Sequence, residues 1–232
     1  MKQISFTPVG DCAVLAVCGT AIDETVNARV MALDRAVCAA ALPGVTETVP
    51  TYAALLVRYD PLSTGPDTVT AALQKLAESL RPEQTAPGAG RLVEVPVCYG
   101  SDFGPDLPFV AAHAGLSERE VVALHSVRDY RIYMLGFLPG FPYLGGMDER
   151  LYCPRLETPR TRIPAGSVGI GGKQTGIYPL DSPGGWQLIG RTPLTLFDAD
   201  NGGQLPYTAG DRIRFVPISP AEFERLQKEG KP

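Results

Sequence analysis

The amino-acid sequence predicts a mixed α+β domain followed by a mainly β domain. In the first part of the chain, apolar residues change between alternating and helical spacing, which indicates strands and helices within one domain. The run RPEQTAPGAG at residues 81–90 has the composition of a linker. Beyond it, short alternating segments separated by glycine and proline turns predominate. We therefore assign an N-terminal domain to residues 1–82, a linker to residues 83–90 and a β domain to residues 91–232.

Alternating apolar residues predict four strands in the N-terminal domain, at residues 3–8, 13–18, 45–50 and 53–59. Helical spacing predicts two helices, one carrying Ile22, Val26, Val30, Leu33 and Val37 and the other carrying Val69, Leu73, Leu76 and Leu80. The first helix ends at Leu-Pro-Gly, residues 42–44. Two helices on a small antiparallel sheet are the natural packing of these elements, close to a ferredoxin-like arrangement.

The second domain opens with an alternating strand, LVEVPVCY. A short helix is predicted from Asp106 to Ala114, where Gly115 stops it. Ser117 and Glu120 have the spacing of a capping box, which predicts a second helix that runs to about His125. Short strands then continue to RIRFVPI near the C-terminus. Many short strands with frequent turns indicate a β-barrel or a β-sandwich.

Composition excludes several classes of protein. The chain has 232 residues, of which 44% are hydrophobic and 20% charged, as in soluble globular proteins. The net charge is −4 and no Lys/Arg block stands out, so we expect no nucleic-acid partner. No apolar run approaches the roughly 20 residues that span a bilayer, and the N-terminus lacks the features of a signal peptide. The five cysteines are scattered without a C-x-x-C pair, which predicts reduced thiols in the cytoplasm.

Several familiar motifs are incomplete. The run 167–174 is similar to a P-loop, but Ser167 replaces its first glycine and Gln174 replaces the residue that binds magnesium. Gln174 also stands where a Rossmann fingerprint requires its third glycine. Residues 165–169 lack the first glycine of a nucleophile elbow. With two histidines and no H-E-x-x-H motif, we expect no metal site.

The stretch from Gly136 to Gly190 is rich in glycine, proline and aromatic residues, a composition typical of shaped loops that carry sites. Arg160 and Arg162 are two residues apart in extended chain, so both point to the same face. A carboxylate or phosphate between them would relieve the repulsion between their charges. The alternative is that each arginine pairs with a surface acid.

Two further parts of this stretch are candidate binding elements. Glycines before Lys173 could turn backbone N–H groups toward an anion, and the run from Lys173 to Tyr178 offers an amide, a hydroxyl and a phenol; the alternative is a polar hairpin. The aromatic loop at residues 136–146 could wall a pocket or form a partner surface, unless Phe137 or Phe141 belongs to the core. Trp186, the single tryptophan, could cover the same pocket.

His125 lies on the apolar side of its predicted helix. It is either a hydrogen-bonded core histidine or an acid/base group beside the glycine-rich loops. His113 is explained by its place at a helix C-terminus, where the helix dipole favours a cation.

Three long motifs in the second domain resemble one known family. GFLPGFPYLGG (136–146), TPRTRIPAGSVGIGGKQTGIYP (158–179) and SPGGWQLIGRTP (182–193) are similar to the allophanate hydrolase subunit 1 family, also called KipI or PxpB. Shorter similar segments include VPTYAALLVRYDP (49–61), FGPDL (103–107) and GDRIRFVPI (210–218), so the resemblance spans nearly the whole chain.

The resemblance implies a cyclophilin-like β-barrel as the second domain. It also implies a subunit of an ATP-dependent 5-oxoprolinase, which opens the lactam 5-oxoproline to glutamate. The implied partners are the allophanate hydrolase subunit 2 (KipA or PxpC) protein and a third subunit, PxpA. ATP with magnesium would be used by the assembled complex, and this chain alone would be inactive and hold no cofactor tightly. Alternative roles in the family are inhibition of a sporulation histidine kinase and carboxyl transfer or allophanate hydrolysis in urea metabolism.

On this basis we predict two sets of site residues. The catalytic set, which would stabilise developing charge, orient substrate or move a proton, is His125, Arg160, Arg162, Gln174 and Tyr178. The set that would bind substrate or an anion is Tyr143, Gly169, Gly171, Gly172, Lys173, Thr175 and Trp186.

Overall fold

The structure, a computed structural model, describes residues 4–81, 90–200 and 202–229 of the chain. These residues form two compact units, one within Met1–Ala89 and the other within Gly90–Pro232. The predicted linker at residues 83–90 lies, apart from Gly90, outside the described residues. Within the described ranges, no helix is both long enough and apolar enough to cross a membrane.

The first unit contains every strand and helix that apolar spacing predicts. Its elements are β1 (Ser5–Val9), β2 (Ala13–Val17), α1 (Glu24–Ala40), β3 (Val45–Pro50), β4 (Ala54–Tyr59) and α2 (Pro66–Ser79). The four strands form one antiparallel sheet in the order β1-β2-β4-β3. Val14, Leu33, Leu55 and Leu73 are fully buried, so apolar residues from both helices and the sheet make one core.

The order of elements in this unit differs from the predicted ferredoxin-like one. A ferredoxin-like domain runs β-α-β-β-α-β. The described residues instead run β-β-α-β-β-α, which is the same string with its last strand moved to the front. The physical reason is the hairpin of β1 and β2, whose turn uses Gly10 at φ +62° and places two strands before the first helix.

The second unit is mainly β, as predicted. Its strands are β5 (Leu92–Tyr99), β6 (Asp129–Leu135), β7 (Pro142–Gly145), β8 (Arg160–Ile163), β9 (Ser167–Gly171), β10 (Gln174–Ile177), β11 (Ser182–Gly184), β12 (Gln187–Arg191) and β13 (Arg212–Pro217). Its helices are α3 (Leu107–Ala114), α4 (Glu118–Ser126) and α5 (Pro220–Glu229). The capping box is present at α4, where the Ser117 side chain accepts from the Glu120 N–H and the Glu120 side chain accepts from the Ser117 N–H.

Seven of these strands close into a barrel in the order β10-β7-β6-β13-β5-β12-β9, with β9 pairing back to β10. All neighbours are antiparallel except β5 and β13. The closed barrel decides between the barrel and the sandwich, and it is consistent with a cyclophilin-like fold. Strands β8 and β11 form a separate two-stranded sheet. A second apolar cluster of Phe141, Ile163, Tyr178, Trp186 and Leu188 is distinct from the main barrel core.

Candidate functional site

A pocket with a volume of about 360 Å³ lies beside this second cluster. Five aromatic side chains and one cation line it, together with two prolines and two glycines. The aromatic residues are Phe137, Phe141, Tyr143, Tyr178 and Trp186, and the cation is Arg155. The lining residues include no carboxylate. The pocket is thus mainly aromatic and carries one positive charge.

Phe141 is the centre of the aromatic wall. Its ring packs edge-to-face against four neighbours, with centroid distances of 5.5 Å to Phe137, 5.2 Å to Tyr143, 5.4 Å to Tyr178 and 5.6 Å to Trp186. Edge-to-face pairs place the positive ring edge against the negative ring face, which is a favoured geometry. Phe141 is 2% exposed whereas Phe137 is 62% exposed, so the wall runs from the protein interior to the mouth of the pocket.

The backbone at Phe137 is held in a tight turn. The N–H of Leu138 donates to the Gly136 carbonyl at 2.7 Å, and Phe137 between them has φ +62°. A non-glycine residue in this region costs on the order of 1–3 kcal/mol, and such strain is concentrated at binding sites. The turn keeps an exposed phenyl ring against Phe141 at the pocket mouth.

Three glycines of β9 and β10 lie close to Trp186. A Cβ atom at Gly171 would lie 2.4 Å from the indole Nε1, one at Gly176 3.1 Å from Cζ3, and one at Gly169 3.3 Å from the Trp186 Cβ. A side chain at Gly171 would therefore overlap the ring. The glycine-rich run thus forms a flat surface for Trp186, and Gly169 and Gly171 are buried in paired strands beneath it.

Arg160 and Asp106 hold the chain at Trp186 and just after it. The Nη2 of Arg160 donates to both oxygens of Asp106, at 2.7 and 2.9 Å, while its Nη1 donates to the Trp186 carbonyl at 3.3 Å. Asp106 also accepts from the Leu188 N–H at 2.6 Å. Although Asp106 occupies the N-cap position of α3, its carboxylate makes these contacts instead of capping the helix. The pair positions the wall of the pocket.

Arg162 has a different partner from Arg160. Its Nε and Nη2 donate to Asp181 at 2.9 and 2.7 Å, and Asp181 also accepts from the Ala165 N–H at 2.7 Å. The Ala165 N–H and then Arg162 lower the pKa of Asp181. Both arginines lie on β8, but each is paired with a separate acid, which was the alternative to a shared anion site. Neither lines the pocket.

His125 lies in the barrel core. Its Nε2 is 2.8 Å from the Thr175 Oγ1 and its Nδ1 is 2.8 Å from the Tyr99 hydroxyl, while its ring stacks on Phe215 at 4.5 Å. The Thr175 hydroxyl donates a hydrogen bond to the Gly169 carbonyl, so Thr175 accepts from the His125 Nε2–H. The His125 Nδ1 then accepts from the Tyr99 hydroxyl. Burial lowers the pKa of His125 to about 3. The ring is neutral and, like Thr175, is fully buried away from the pocket.

The remaining predicted residues lie at the turn between β9 and β10. Gly172 has φ +64°, and its N–H donates to the Cys153 carbonyl at 2.7 Å. The Lys173 Nζ lies 5.7 Å from the centroid of the Tyr152 ring. Gln174 opens β10 opposite Gly171. The Gly172 amide is thus engaged by backbone in the turn of a β-hairpin.

Arg155 is the cation that the pocket contains. Its Cζ lies 5.8 Å from the centroid of the Trp186 ring, a distance at which the charge is attracted to the ring face. The side chain is exposed and, within the described part of the chain, has no carboxylate partner. Burial raises the pKa of the Tyr178 phenol, and the Trp186 backbone, Arg155 and Arg160 oppose this rise. The described residues hold no group of three or more His, Cys, Asp or Glu that could bind a metal.

The buried glycines, the paired arginines and the aromatic wall all lie within a region that a family model matches. The model describes the carboxyltransferase domain, subdomain C and D, and it matches residues 4–206. The chain belongs to this carboxyltransferase-domain family. The match includes most of each unit and every residue that lines the pocket.

Two similar proteins carry the same name. A protein named as the B subunit of 5-oxoprolinase, from Bacillus subtilis (strain 168), is 41% identical over 95% of this chain and 95% of its own length. Another of that name, from Escherichia coli O157:H7, is 47% identical over 82% of this chain and 81% of its own. The family resemblance predicted from the sequence is confirmed.

Solved structures extend the comparison. The crystal structure of a protein designated TTHA0988 matches 89% of this chain at 38% identity with a TM-score of 0.78, and this chain spans 40% of that one. The Kluyveromyces lactis urea carboxylase matches 98% of this chain with a TM-score of 0.80 but only 20% identity, and this chain spans 23% of it. The second match shows a shared fold alone.

The structure places three of the residues predicted for the site in this pocket. Tyr143, Tyr178 and Trp186 line it together, and Phe137 and Phe141 form the wall for which the aromatic loop was a candidate. Two residues that shape the site were missed. Asp106 had a signal, since it lies in a segment, FGPDL, that also resembles the family. Arg155 had no comparable signal, since it is a cation that follows a proline in a segment without periodicity.

Proposed function

We propose that this chain is the cytoplasmic B subunit of an ATP-dependent 5-oxoprolinase, which opens 5-oxoproline to glutamate and is inactive without its partner subunits. The observation that carries the proposal is the near-full-length similarity to proteins that are named as the B subunit of 5-oxoprolinase. The partners are proteins of the allophanate hydrolase subunit 2 (KipA or PxpC) and PxpA types, as the family resemblance implies.

The chemistry of the pocket supports this proposal. 5-Oxoproline is a small five-membered lactam that bears a carboxylate. Aromatic walls suit the flat ring, and a cation suits the carboxylate. In the net hydrolysis, water adds hydroxide to the lactam carbonyl carbon, the ring C–N bond breaks and the nitrogen takes the proton.

ATP would supply the activation that an unstrained amide lacks. The segment 167–174, which is similar to a P-loop in sequence, does not have the structure of a triphosphate-binding loop. The run Ser167–Gln174 forms β9, a tight turn and the start of β10, whereas a phosphate-binding loop connects a strand to a helix N-terminus. We therefore assign no step with ATP to this chain, whose part in the reaction is to bind and orient the lactam.

The test is reconstitution. The chain is co-expressed with its subunit 2 and PxpA partners, and release of glutamate from 5-oxoproline is measured with and without ATP. We expect release that needs ATP and all three proteins. Matched preparations that each omit one protein are the controls. A well-folded complex that releases no glutamate would overturn the proposal and favour another amide substrate, carboxyl transfer or kinase regulation.

A further inference from the structure

We propose that the pocket binds a small, flat, cyclic carboxylic acid and that Arg155 is the residue that binds its carboxylate. For 5-oxoproline as the ligand, this inference rests on the proposed function and deepens it. It assigns substrate recognition to a residue outside the set predicted from the sequence.

The cations near the pocket differ in what neutralises them. Arg160 and Arg162 donate to Asp106 and Asp181, respectively, and neither guanidinium lines the pocket. Arg155 lines it, and its guanidinium lies over the Trp186 ring, 5.8 Å from the ring centroid. An indole face attracts a cation but does not cancel its charge. Arg155 therefore leaves a positive charge at the pocket that a bound anion would neutralise.

A guanidinium is well suited to this role. It remains charged at any working pH, and its planar fork of N–H donors matches the two oxygens of a carboxylate. The attraction of the guanidinium to the Trp186 ring favours a position beside the aromatic wall before a ligand arrives, so less conformational freedom is lost on binding. The carboxylate would then lie beside the aromatic rings, with the rest of the molecule against them.

The shape of the pocket selects the size and form of the ligand. Its volume of about 360 Å³ is near the lower end of ligand pockets, which favours a molecule with one small ring. Phe141 fixes four surrounding aromatic rings, and Phe137 is held at the mouth by its turn. The walls are thus largely preformed, and flat rings can stack on them. Gly184 and Gly185 line the same space without side chains.

Because Trp186 is the single tryptophan of the chain and lines the pocket, its fluorescence reports binding directly. The purified full chain is titrated with 5-oxoproline and with 2-pyrrolidone, which is the same lactam without the carboxylate. We expect saturable changes, with 5-oxoproline binding about tenfold to a hundredfold more tightly than 2-pyrrolidone. In Arg155→Gln this preference should disappear. Arg150→Gln is the matched control, since Arg150 is an exposed arginine paired with Asp148, which keeps Arg128 as a partner.

A kinetic experiment on the assembled complex separates this inference from the proposed function. If Arg155 binds the carboxylate, Arg155→Gln raises the KM for 5-oxoproline by about tenfold or more and changes kcat little. An active complex whose KM is unchanged by Arg155→Gln would overturn the inference and leave the proposed function intact. If the complex is inactive but the full chain binds another cyclic acid, such as 2-furoate, in an Arg155-dependent way, the site stands and the proposed substrate falls. A full chain that binds no cyclic acid overturns the site.

Discussion

At the scale of single residues, the hydrogen bonds of His125 decide its protonation. Both ring nitrogens have partners, Thr175 and Tyr99, and the ring is enclosed by aromatic residues. The Thr175 hydroxyl donates a hydrogen bond to the Gly169 carbonyl, so the neutral ring carries its hydrogen on Nε2. A second hydrogen on Nδ1 would face the hydrogen of the Tyr99 hydroxyl and break that hydrogen bond. His125 therefore connects α4 to strands β5 and β10 as a neutral group, a structural contribution to the barrel.

This arrangement predicts a pH dependence of stability. The pKa of His125 is about 3 in the folded protein, below the roughly 6.5 of a histidine in an unfolded chain. Between these values the unfolded state binds a proton that the folded state does not, so the free energy of unfolding falls as the pH decreases. The expected slope is up to about 1.4 kcal/mol per pH unit. Urea unfolding of the full chain at pH 7, 6, 5 and 4 measures it.

The variant His125→Gln isolates the contribution of this histidine. Glutamine keeps an N–H donor for Thr175 but does not titrate, so its stability should decrease less steeply than that of the wild type between pH 6.5 and pH 4. His113→Gln, which removes the other histidine at an exposed position of α3, should keep the wild-type slope. If His125→Gln and the wild type have parallel pH profiles, His125 is not the group responsible.

At the scale of secondary-structure elements, the β9–β10 hairpin determines where the indole lies. Its glycines do not serve chain flexibility, because Gly169, Gly171 and Gly176 lie in paired strands and are buried. Gly171 is required by the close approach of the Trp186 indole. The same ring forms one wall of the pocket and carries Arg155 on its face. The glycine spacing of this hairpin thus positions two components of the candidate site.

Replacing Gly171 by alanine should displace Trp186. The added Cβ would lie 2.4 Å from two atoms of the indole, closer than such atoms can approach. Because the ring is 5% exposed and packed by other aromatic residues, we expect a loss of stability of about 1–3 kcal/mol, together with a shift of tryptophan emission. Urea unfolding and emission spectra of the folded variant measure both effects.

Gly185→Ala is the control for this substitution. Gly185 adjoins Trp186 in the chain, but the nearest atoms to its added Cβ are 3.7 Å away, which is ordinary contact. Its stability should stay within about 0.5 kcal/mol of the wild type. Equal stability of the two alanine variants would contradict the role assigned to Gly171.

Local patterns explain why the elements of the fold could be predicted. Alternation located β4 within one residue, and the capping box located the start of α4. Helix α5 was not predicted, because Phe223 is its one buried residue and a single apolar position has no period. The closure of the barrel could not be predicted from periodicity either. It depends on pairs distant in sequence, such as the parallel pairing of β5 with β13.

The candidate site was predictable only where its residues are locally unusual. Aromatic residues between glycines and prolines indicated Tyr143 and Trp186 as pocket residues. The spacing of Arg160 and Arg162 contained no information on Asp106 and Asp181, which come from other parts of the chain. Arg155 was missed for the same reason, since its significance comes from the distant Trp186 ring and not from its neighbours in sequence.

At the scale of the whole molecule, each unit has an apolar core of its own. One cluster lies entirely within the first unit, and the barrel core and the aromatic cluster lie entirely within the second. All residues that line the pocket belong to the second unit, as do Asp106 and Arg160, which position Trp186. A unit that contains its own core can fold by itself.

The second unit should therefore fold and bind ligand without the first. We expect a fragment of residues 90–232 to unfold in one cooperative urea transition and to bind 5-oxoproline within about twofold of the full chain's affinity, because distant parts of a protein contribute independently. Tryptophan fluorescence measures both properties, since Trp186 is in this fragment. Arg155→Gln in the fragment is the control that ties the signal to the pocket.

A fragment that folds cooperatively but no longer distinguishes 5-oxoproline from 2-pyrrolidone, while the full chain does, would show that recognition needs residues of the first unit. A fragment that matches the full chain would assign recognition to the barrel unit and leave the first unit for another task, which can then be sought by deleting it from the assembled complex.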